Sequence, residues 1–233
     1  MKTTAISDLH GYLPTIEQCE LLLICGDIVP LNIQRNHEKS YEWFVNEFKN
    51  WANEQPVDKV IFIAGNHDFV FEAMFADALK TEFGVTGKIT YLENDYTTHT
   101  AKDGKTYKIF GTPYCSIFGP WAFSKTDEEL ATLFSEMPND CDIVITHMPP
   151  ALAYAGTIID GPGAGTNCGS LVLADEINAK EPKYTFCGHI HTGDHTVQDL
   201  TNLFGNTTIA NVSLKDESYE ATYEPLVIDI CKD

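Results

Sequence analysis

The chain is almost without arginine. Arg35 is the only one among 15 basic residues, and 34 acidic residues bring the formal net charge to −19. A surface of that sign repels nucleic-acid phosphates and anionic lipid, which argues against polymeric nucleic acid as a partner. No apolar run approaches the roughly 18 residues that a membrane helix needs, so no membrane span is expected. The seven cysteines are odd in number and include no Cys-x-x-Cys pair. Cys25 and Cys187 end apolar runs and read as small buried hydrophobes. The first strand pattern begins at Thr3, which leaves no room for a signal peptide, and a cytoplasmic location is expected. With no internal repeat, linker or low-complexity tract, residues 1–233 are expected to form one domain.

What the chain does have is a series of short apolar runs, at 3–7, 21–25, 60–64, 143–146 and 184–187. Each is rich in β-branched or aromatic residues and ends at Gly, Asp or His, the pattern of buried strands that feed loops. Helical spacing lies between them. In SYEWFVNEFKNWA, residues 40–52, it links Tyr41, Phe44, Val45, Phe48 and either Trp51 or Ala52. After Asp68 it links Phe71, Met74, Phe75, Ala78 and Leu79. Thr126 and Glu129 form a capping box for a helix that stops before Pro138, and another helix is expected over 168–179, before Pro182. THTAKDGKTYKIFGTP reads as a hairpin turning at Asp103-Gly104. After Asp194, the stretches HTVQDL, TTIANVS and YEPLVIDI read as an antiparallel meander. Strand–helix alternation with hairpins implies an α/β fold of two packed mixed sheets flanked by helices.

The ends of the apolar runs carry the chemistry. In order they read SDLHG, CGDIVP, AGNHDF, ITHMPP and CGHIHTG, and they supply Asp8, His10, Asp27, Asn66, His67, Asp68, His147, His189 and His191. Five of the eight histidines fall here. A single Asp or His after a strand is commonly a cap or a satisfied polar group, but five such stretches in one chain are not explained that way. Loops at the carboxyl ends of strands in an open α/β sheet converge on one crevice, so residues far apart in sequence can meet. Imidazole, carboxylate and amide oxygen together suit two divalent ions of the borderline kind, Mn, Fe or Zn, whereas an all-oxygen cage would suit Mg or Ca. Two such ions about 3.5–4 Å apart need one carboxylate to bridge them.

The set D-x-H, G-D, G-N-H-D, T-H and G-H-x-H, in this order over residues 8–191, resembles the calcineurin-like metallophosphoesterase superfamily. The resemblance implies a four-layer αββα sandwich around a dinuclear metal centre. By it, Asp8, His10 and His191 hold one ion, Asn66, His147 and His189 hold the other, and Asp27 bridges. His67 becomes the general acid beside the metals. Asp68 either orients His67 or caps the helix expected from Phe69, and the cap is the preferred reading. IFGTPY, WAF at 121–123, THMPP, NCGSL and GHIHTG are similar to small phosphodiesterases of the fetal-brain metallophosphoesterase type. Met148 stands where glycine is usual there, a change expected to alter the pocket wall. GPGAGTN, at 161–167, is read as a substrate-shaping loop, because no strand leads into it as a dinucleotide fingerprint requires.

The activity so implied is hydrolysis of a small phosphate ester, with a metal-bridging hydroxide attacking phosphorus in line. Protein phosphatases of the superfamily resemble one another in arginines after G-D and after G-N-H, which fork onto a dianionic monoester. GDIVPLN and GNHDFVFE contain none. A phosphodiester, nucleotide-like ones included, is therefore the expected substrate. Tyr114, Trp121 and Phe123 are the candidate contacts for its ester groups, with Phe69 and Phe118 beside them. The alternative is a small-molecule or protein phosphomonoesterase. A DNA-processing nuclease fits the acidic chain poorly, and a metal-free binding scaffold does not fit an intact ligand set.

Overall fold

The computed structural model describes residues 1–84, 87–152 and 167–231. Its strands are β1 (Lys2–Ile6), β2 (Cys19–Cys25), β3 (Val57–Ile63), β4 (Ile89–Tyr91), β5 (Asp95–Thr100) and β6 (Thr106–Thr112). They continue with β7 (Cys115–Ser116), β8 (Ser124–Lys125), β9 (Ile143–Thr146), β10 (Tyr184–Cys187), β11 (Gln198–Asp199), β12 (Thr208–Asn211) and β13 (Leu226–Asp229). One sheet has the order β13-β1-β2-β3-β4 and the other β11-β12-β10-β9-β6-β5, while β7 and β8 pair separately. All neighbours from β1 to β4 are parallel, as are β6, β9, β10 and β12.

The apolar runs are strands because each is covered on both faces. In β2, Leu22 and Ile24 turn to one core, while Leu21, Leu23 and Cys25 turn to another. The second of these lies between the sheets, where Leu21, Leu23, Ile61 and Ile63 meet Ile109, Ile145 and Phe186. The first lies under a helical stretch running from α1 (His37–Trp43) through a π-helical turn at Phe44–Phe48 into α2 (Lys49–Glu54). Phe44, Phe48, Phe62 and Phe83 pack edge to face there, and α3 (Ala76–Glu82) adds Leu79. On the far side, α4 (Asp127–Ser135) and α5 (Leu171–Lys180) set Leu130, Phe134, Leu173 and Ile177 against Phe110 and Val144. Helix, sheet, sheet, helix is the four-layer sandwich expected.

Some local expectations differ. The helix expected over 40–52 is longer, because Asn36 caps it by accepting from the Lys39 N–H at 3.0 Å. The Thr126–Glu129 capping box forms as read. The last helix starts at Leu171, behind a Ser170 cap, rather than at 168. The C-terminal strands form only part of the expected meander, with β11 antiparallel to β12. β12 is parallel to β10, and β13 crosses to the other sheet, antiparallel to β1. Burial explains the split: Ile209, Ala210 and Asn211 of β12 are buried in succession, as an interior strand requires. In β13, Leu226 and Ile228 face the core while Val227 is exposed, as suits an edge. Among the described residues no helix is long and apolar enough to cross a membrane. Most of the 161–167 loop read as substrate-shaping lies outside the described residues.

Candidate metal centre

The carboxyl ends of β1, β2 and β3 in one sheet and of β9 and β10 in the other meet at one edge, where a parallel bridge between Ser7 and Ser213 joins the sheets. Asp8, His10 and His191 each bring a ligand atom within 4.8 Å of the others. His191 Nε2 lies 3.2 Å from Asp8 Oδ1. The second group gathers around Asn66, whose Oδ1 lies 2.9 Å from both His147 Nε2 and His189 Nδ1. Asp27 stands between the two groups, its Oδ2 3.8 Å from His10 Nε2 and 3.3 Å from His147 Nε2. The two trios implied by the motifs are therefore two spatial clusters that share one carboxylate.

The tautomers show what this volume is built to hold. His147 Nδ1 lies 2.9 Å from the Cys25 carbonyl, which can only accept, so that nitrogen carries the hydrogen. In the neutral ring, Nε2 then aims a lone pair at Asn66 Oδ1 and Asp27 Oδ2, which are acceptors themselves. His191 repeats the pattern, donating from Nδ1 to the Asp216 carbonyl at 3.0 Å and turning Nε2 to Asp8. Both ring nitrogens of His10 are buried without a hydrogen bond. Converging lone pairs need a cation, either a proton or a metal, and fixing imidazoles through their outer N–H is how metal-ligating histidines are held. The donor set fits a pair of divalent ions.

The electrostatics agree. Burial works to raise the Asp8 and Asp27 carboxyls, but the surrounding imidazoles hold both well below the usual carboxylate range. His147 is pushed up to about 9 against its burial, chiefly by the Asp27 charge. Burial drives His10 and His189 down to about 4, and His147 adds to the effect at His189. Ionised carboxylates beside the neutral imidazoles of His10 and His189 are states that ligate metal, and the proton favoured on His147 leaves when a metal binds.

Each aspartate also latches a loop from elsewhere in the sequence. Asp8 accepts the His189 N–H at 3.0 Å, and Asp27 accepts that of His67 at 2.8 Å. Asp68 returns the grip by accepting from Ile28 and Val29 of the Asp27 loop at 3.1 and 2.9 Å, and from Gly65 at 2.8 Å. This corrects the reading of Asp68 as a cap: its side chain makes no capping bond to the 3₁₀ turn Phe69–Phe71, and the first α-helix after it starts only at Ala76. Nor does Asp68 take up His67, whose Nδ1 pairs with Gln34 Oε1. Two motif glycines allow the loops this close approach. A Cβ at Gly65 would sit 2.2 Å from Asp27 Oδ1, and one at Gly188 would sit 2.3 Å from Asp8 Oδ2. Asp8, His10, Asp27 and His189 all have left-handed φ, between 43° and 69°, strain of the kind that collects at functional sites.

The isosteric change Asp68→Asn is expected to destabilise the fold by about 3 kcal/mol, because an amide NH₂ would face buried N–H donors that each cost roughly 1–3 kcal/mol when unpaired. Denaturant unfolding measures it, and wild-type stability in that variant would show that the carboxylate latch is dispensable.

A cavity of about 410 Å³ opens over the two clusters, lined by His67, Phe118, Trp121, Glu217 and Tyr219 together with Asp27, Asn66, His189 and His191. His67 lies against Trp121 with the rings tilted by 34° and centroids 4.4 Å apart, and its Nε2 lies 3.8 Å from Asp27 Oδ2. Of the three aromatics expected at the substrate, only Trp121 lines this cavity. Phe123 is wholly buried, and Tyr114 packs on Phe123, with its hydroxyl reaching Glu93 at 3.5 Å. Phe118 takes their place. Met148 is also away from the cavity wall, buried with its sulfur under the Ser116 N–H. Arg35 lies on a turn, where its guanidinium covers Phe69, 4.3 Å from the ring centroid, and donates to the Pro120 carbonyl, bracing the Trp121 loop. Gln34, Glu217 and Tyr219 escaped sequence reading because none belongs to a motif or follows an apolar run.

A family profile described as calcineurin-like phosphoesterase matches residues 1–193. The chain is 26% identical to human metallophosphoesterase domain-containing protein 1, over 97% of this chain and 69% of the relative. It is 30% identical to a UPF0046 protein of Caenorhabditis elegans, over 100% of this chain and 76% of that one. Among solved structures it resembles TT1561 of Thermus thermophilus, with a TM-score of 0.60 at 14% identity and coverage of 90% of this chain and 88% of that one. It also resembles the phosphopantetheinyl hydrolase of Mycobacterium tuberculosis, with a TM-score of 0.56 at 16% identity and coverage of 91% and 88%.

Proposed function

Because the chain belongs to the calcineurin-like phosphoesterase family, we propose that this metal-dependent hydrolase of phosphate esters is a phosphodiesterase acting on small diesters, nucleotide-like ones included. The observation that carries the diester reading is the lining of the cavity. Among the described residues it contains no lysine or arginine, and it includes the carboxylates of Asp27 and Glu217. A monoester dianion brings about one more negative charge than a diester into this wall. It meets no guanidinium fork of the kind that receives dianions. The retained ester group of a diester instead rests on Phe118, Trp121 or Tyr219.

Asp8, His10 and His191 would hold one ion and Asn66, His147 and His189 the other, with Asp27 shared. The mixed imidazole, carboxylate and amide donors favour Mn, Fe or Zn. Such ions supply charge neutralisation at the phosphoryl oxygens and a water acidic enough to react near neutral pH. The chain's own part is proton delivery and positioning. Gln34 Oε1 can only accept, which fixes the hydrogen of His67 on Nδ1 and turns Nε2 toward the cavity. A proton on that Nε2 goes to the departing ester oxygen. Burial holds the His67 pKa below the ordinary histidine value, so its imidazolium is a readier acid. Asp68 acts by positioning, through the Asp27 loop, rather than at the substrate. We read the chain as one domain, because β13, beyond the matched residues, completes the sheet that β1 begins. Five of the seven cysteines are buried, which suits a reducing, cytoplasmic setting.

The test is kcat/KM for bis-p-nitrophenyl phosphate against p-nitrophenyl phosphate at matched pH with Mn²⁺. The diester is expected to lead by roughly tenfold, about 1.4 kcal/mol. A clear excess for the monoester would move the reading to a small-molecule phosphatase.

A further inference from the structure

The cavity has two aromatic walls, and each stands over one ligand trio. Phe118 meets His189 edge-on, with centroids 5.1 Å apart, and continues into Trp121 at 6.3 Å. Tyr219 packs on His10 and His191 of the other trio, 5.0 Å from each. It lies in a turn held by Asp216, whose Oδ1 accepts the Ser218 and Glu220 N–H groups at 2.9 and 3.0 Å. The carbonyl of the same Asp216 fixes His191 Nδ1. The turn thus anchors a ligand and presents a ring from one short segment.

Two features of that ring are not accounted for by packing. Tyr219 has a φ of +60°, a conformation that suits glycine and is uncommon for a bulky side chain. It also remains 39% exposed at the cavity. Strain kept at a site, in a residue whose ring stays open to the cavity, points to a use for its side chain.

We propose that Tyr219 determines specificity for the retained ester group of the substrate, and that this group is a planar ring without negative charge. The inference rests on the diesterase reading. The two ester groups of a diester leave phosphorus in different directions. With the phosphate over the shared Asp27, one group faces Phe118 and Trp121 and the other faces Tyr219. A planar ring gains most from an aromatic wall, through offset or edge contacts. Glu217 lines the cavity beside Tyr219 and repels an anionic group there.

The experiment compares kcat/KM for bis-p-nitrophenyl phosphate and ethyl p-nitrophenyl phosphate with the metal-loaded enzyme. Both expel p-nitrophenolate, so the ratio reads the retained arm. Tyr219→Gly removes the ring and suits the left-handed backbone, and its aryl-to-ethyl ratio should fall roughly tenfold below wild type. Tyr219→Leu, which has bulk but no ring, should show the same fall and serves if the glycine variant does not fold. Tyr219→Phe should keep the wild-type ratio. Disturbed metal binding would lower both rates together and leave the ratio intact. A wild-type ratio in the glycine or leucine variant overturns the proposal. Failure of the wild-type enzyme to hydrolyse either diester overturns instead the reading on which it rests.

Discussion

Replacement of Asp27 by alanine should empty both metal positions and take the activity to background. This carboxylate stands between both clusters, with Oδ2 3.8 Å from His10 Nε2 on one side and 3.3 Å from His147 Nε2 on the other. It is 2% exposed, and the His67 N–H fixes its orientation at 2.8 Å. Without it, each cluster keeps three neutral or singly charged donors and loses its shared anion, the largest source of attraction for a pair of dications. His147 would also lose the partner that most favours a positive charge at its Nε2. Metal analysis of the purified variant gives the result independently of turnover. Two ions per chain in Asp27→Ala would show that the bridge lies elsewhere.

Alanine at His67 should have a different signature: metals retained, and a rate loss that depends on the leaving group. General acid catalysis is worth about 10²–10⁴-fold, and the whole of it should appear with alkoxide leaving groups that must be protonated. p-Nitrophenolate departs without much help, so its rate should fall far less. The geometry supports retention of metal, because Nδ1 of His67 pairs with Gln34 and its ring lies against Trp121, with only an edge contact to His10 at 4.9 Å. His67 does come within 4.8 Å of His10 and Asp27 atoms, so metal content must be measured beside the kinetics. Equal losses on both kinds of leaving group would make His67 a positioning residue.

The motif strings SDLHG, CGDIVP, AGNHDF, ITHMPP and CGHIHTG mark the residues that meet at the sheet edge, because a strand end followed by a loop is a local pattern. Two packed sheets flanked by helices were legible for the same reason, since runs apolar on both faces demand cover on both, while the four-layer order came from the family resemblance. The roles that went astray depend on partners remote in sequence. Asp68 looks like a cap when only Phe69 is considered, and its actual partners, Ile28 and Val29, lie on another strand's loop. Phe118 and Phe123 are alike in composition and context, yet one lines the cavity and the other is buried in the core. Two of the C-terminal strands were placed as neighbours although β13 pairs with β1, at the other end of the chain.

By itself, then, the sequence determined the strand ends, the chemical types gathered there and the family to which they belong, since periodicity and residue chemistry are written residue by residue. Tertiary structure alone decided which atoms face each other: His191 Nε2 and Asp8 Oδ1, 183 positions apart, lie within 3.2 Å. It turned the His147 and His191 lone pairs inward by giving their outer nitrogens carbonyl partners at Cys25 and Asp216. It also brought Glu217 and Tyr219 to the cavity, and Gln34 to His67 behind it, from loops without a motif. The reason is that a side chain's tautomer, orientation and partners depend on sheet pairing and loop packing, which no local pattern encodes.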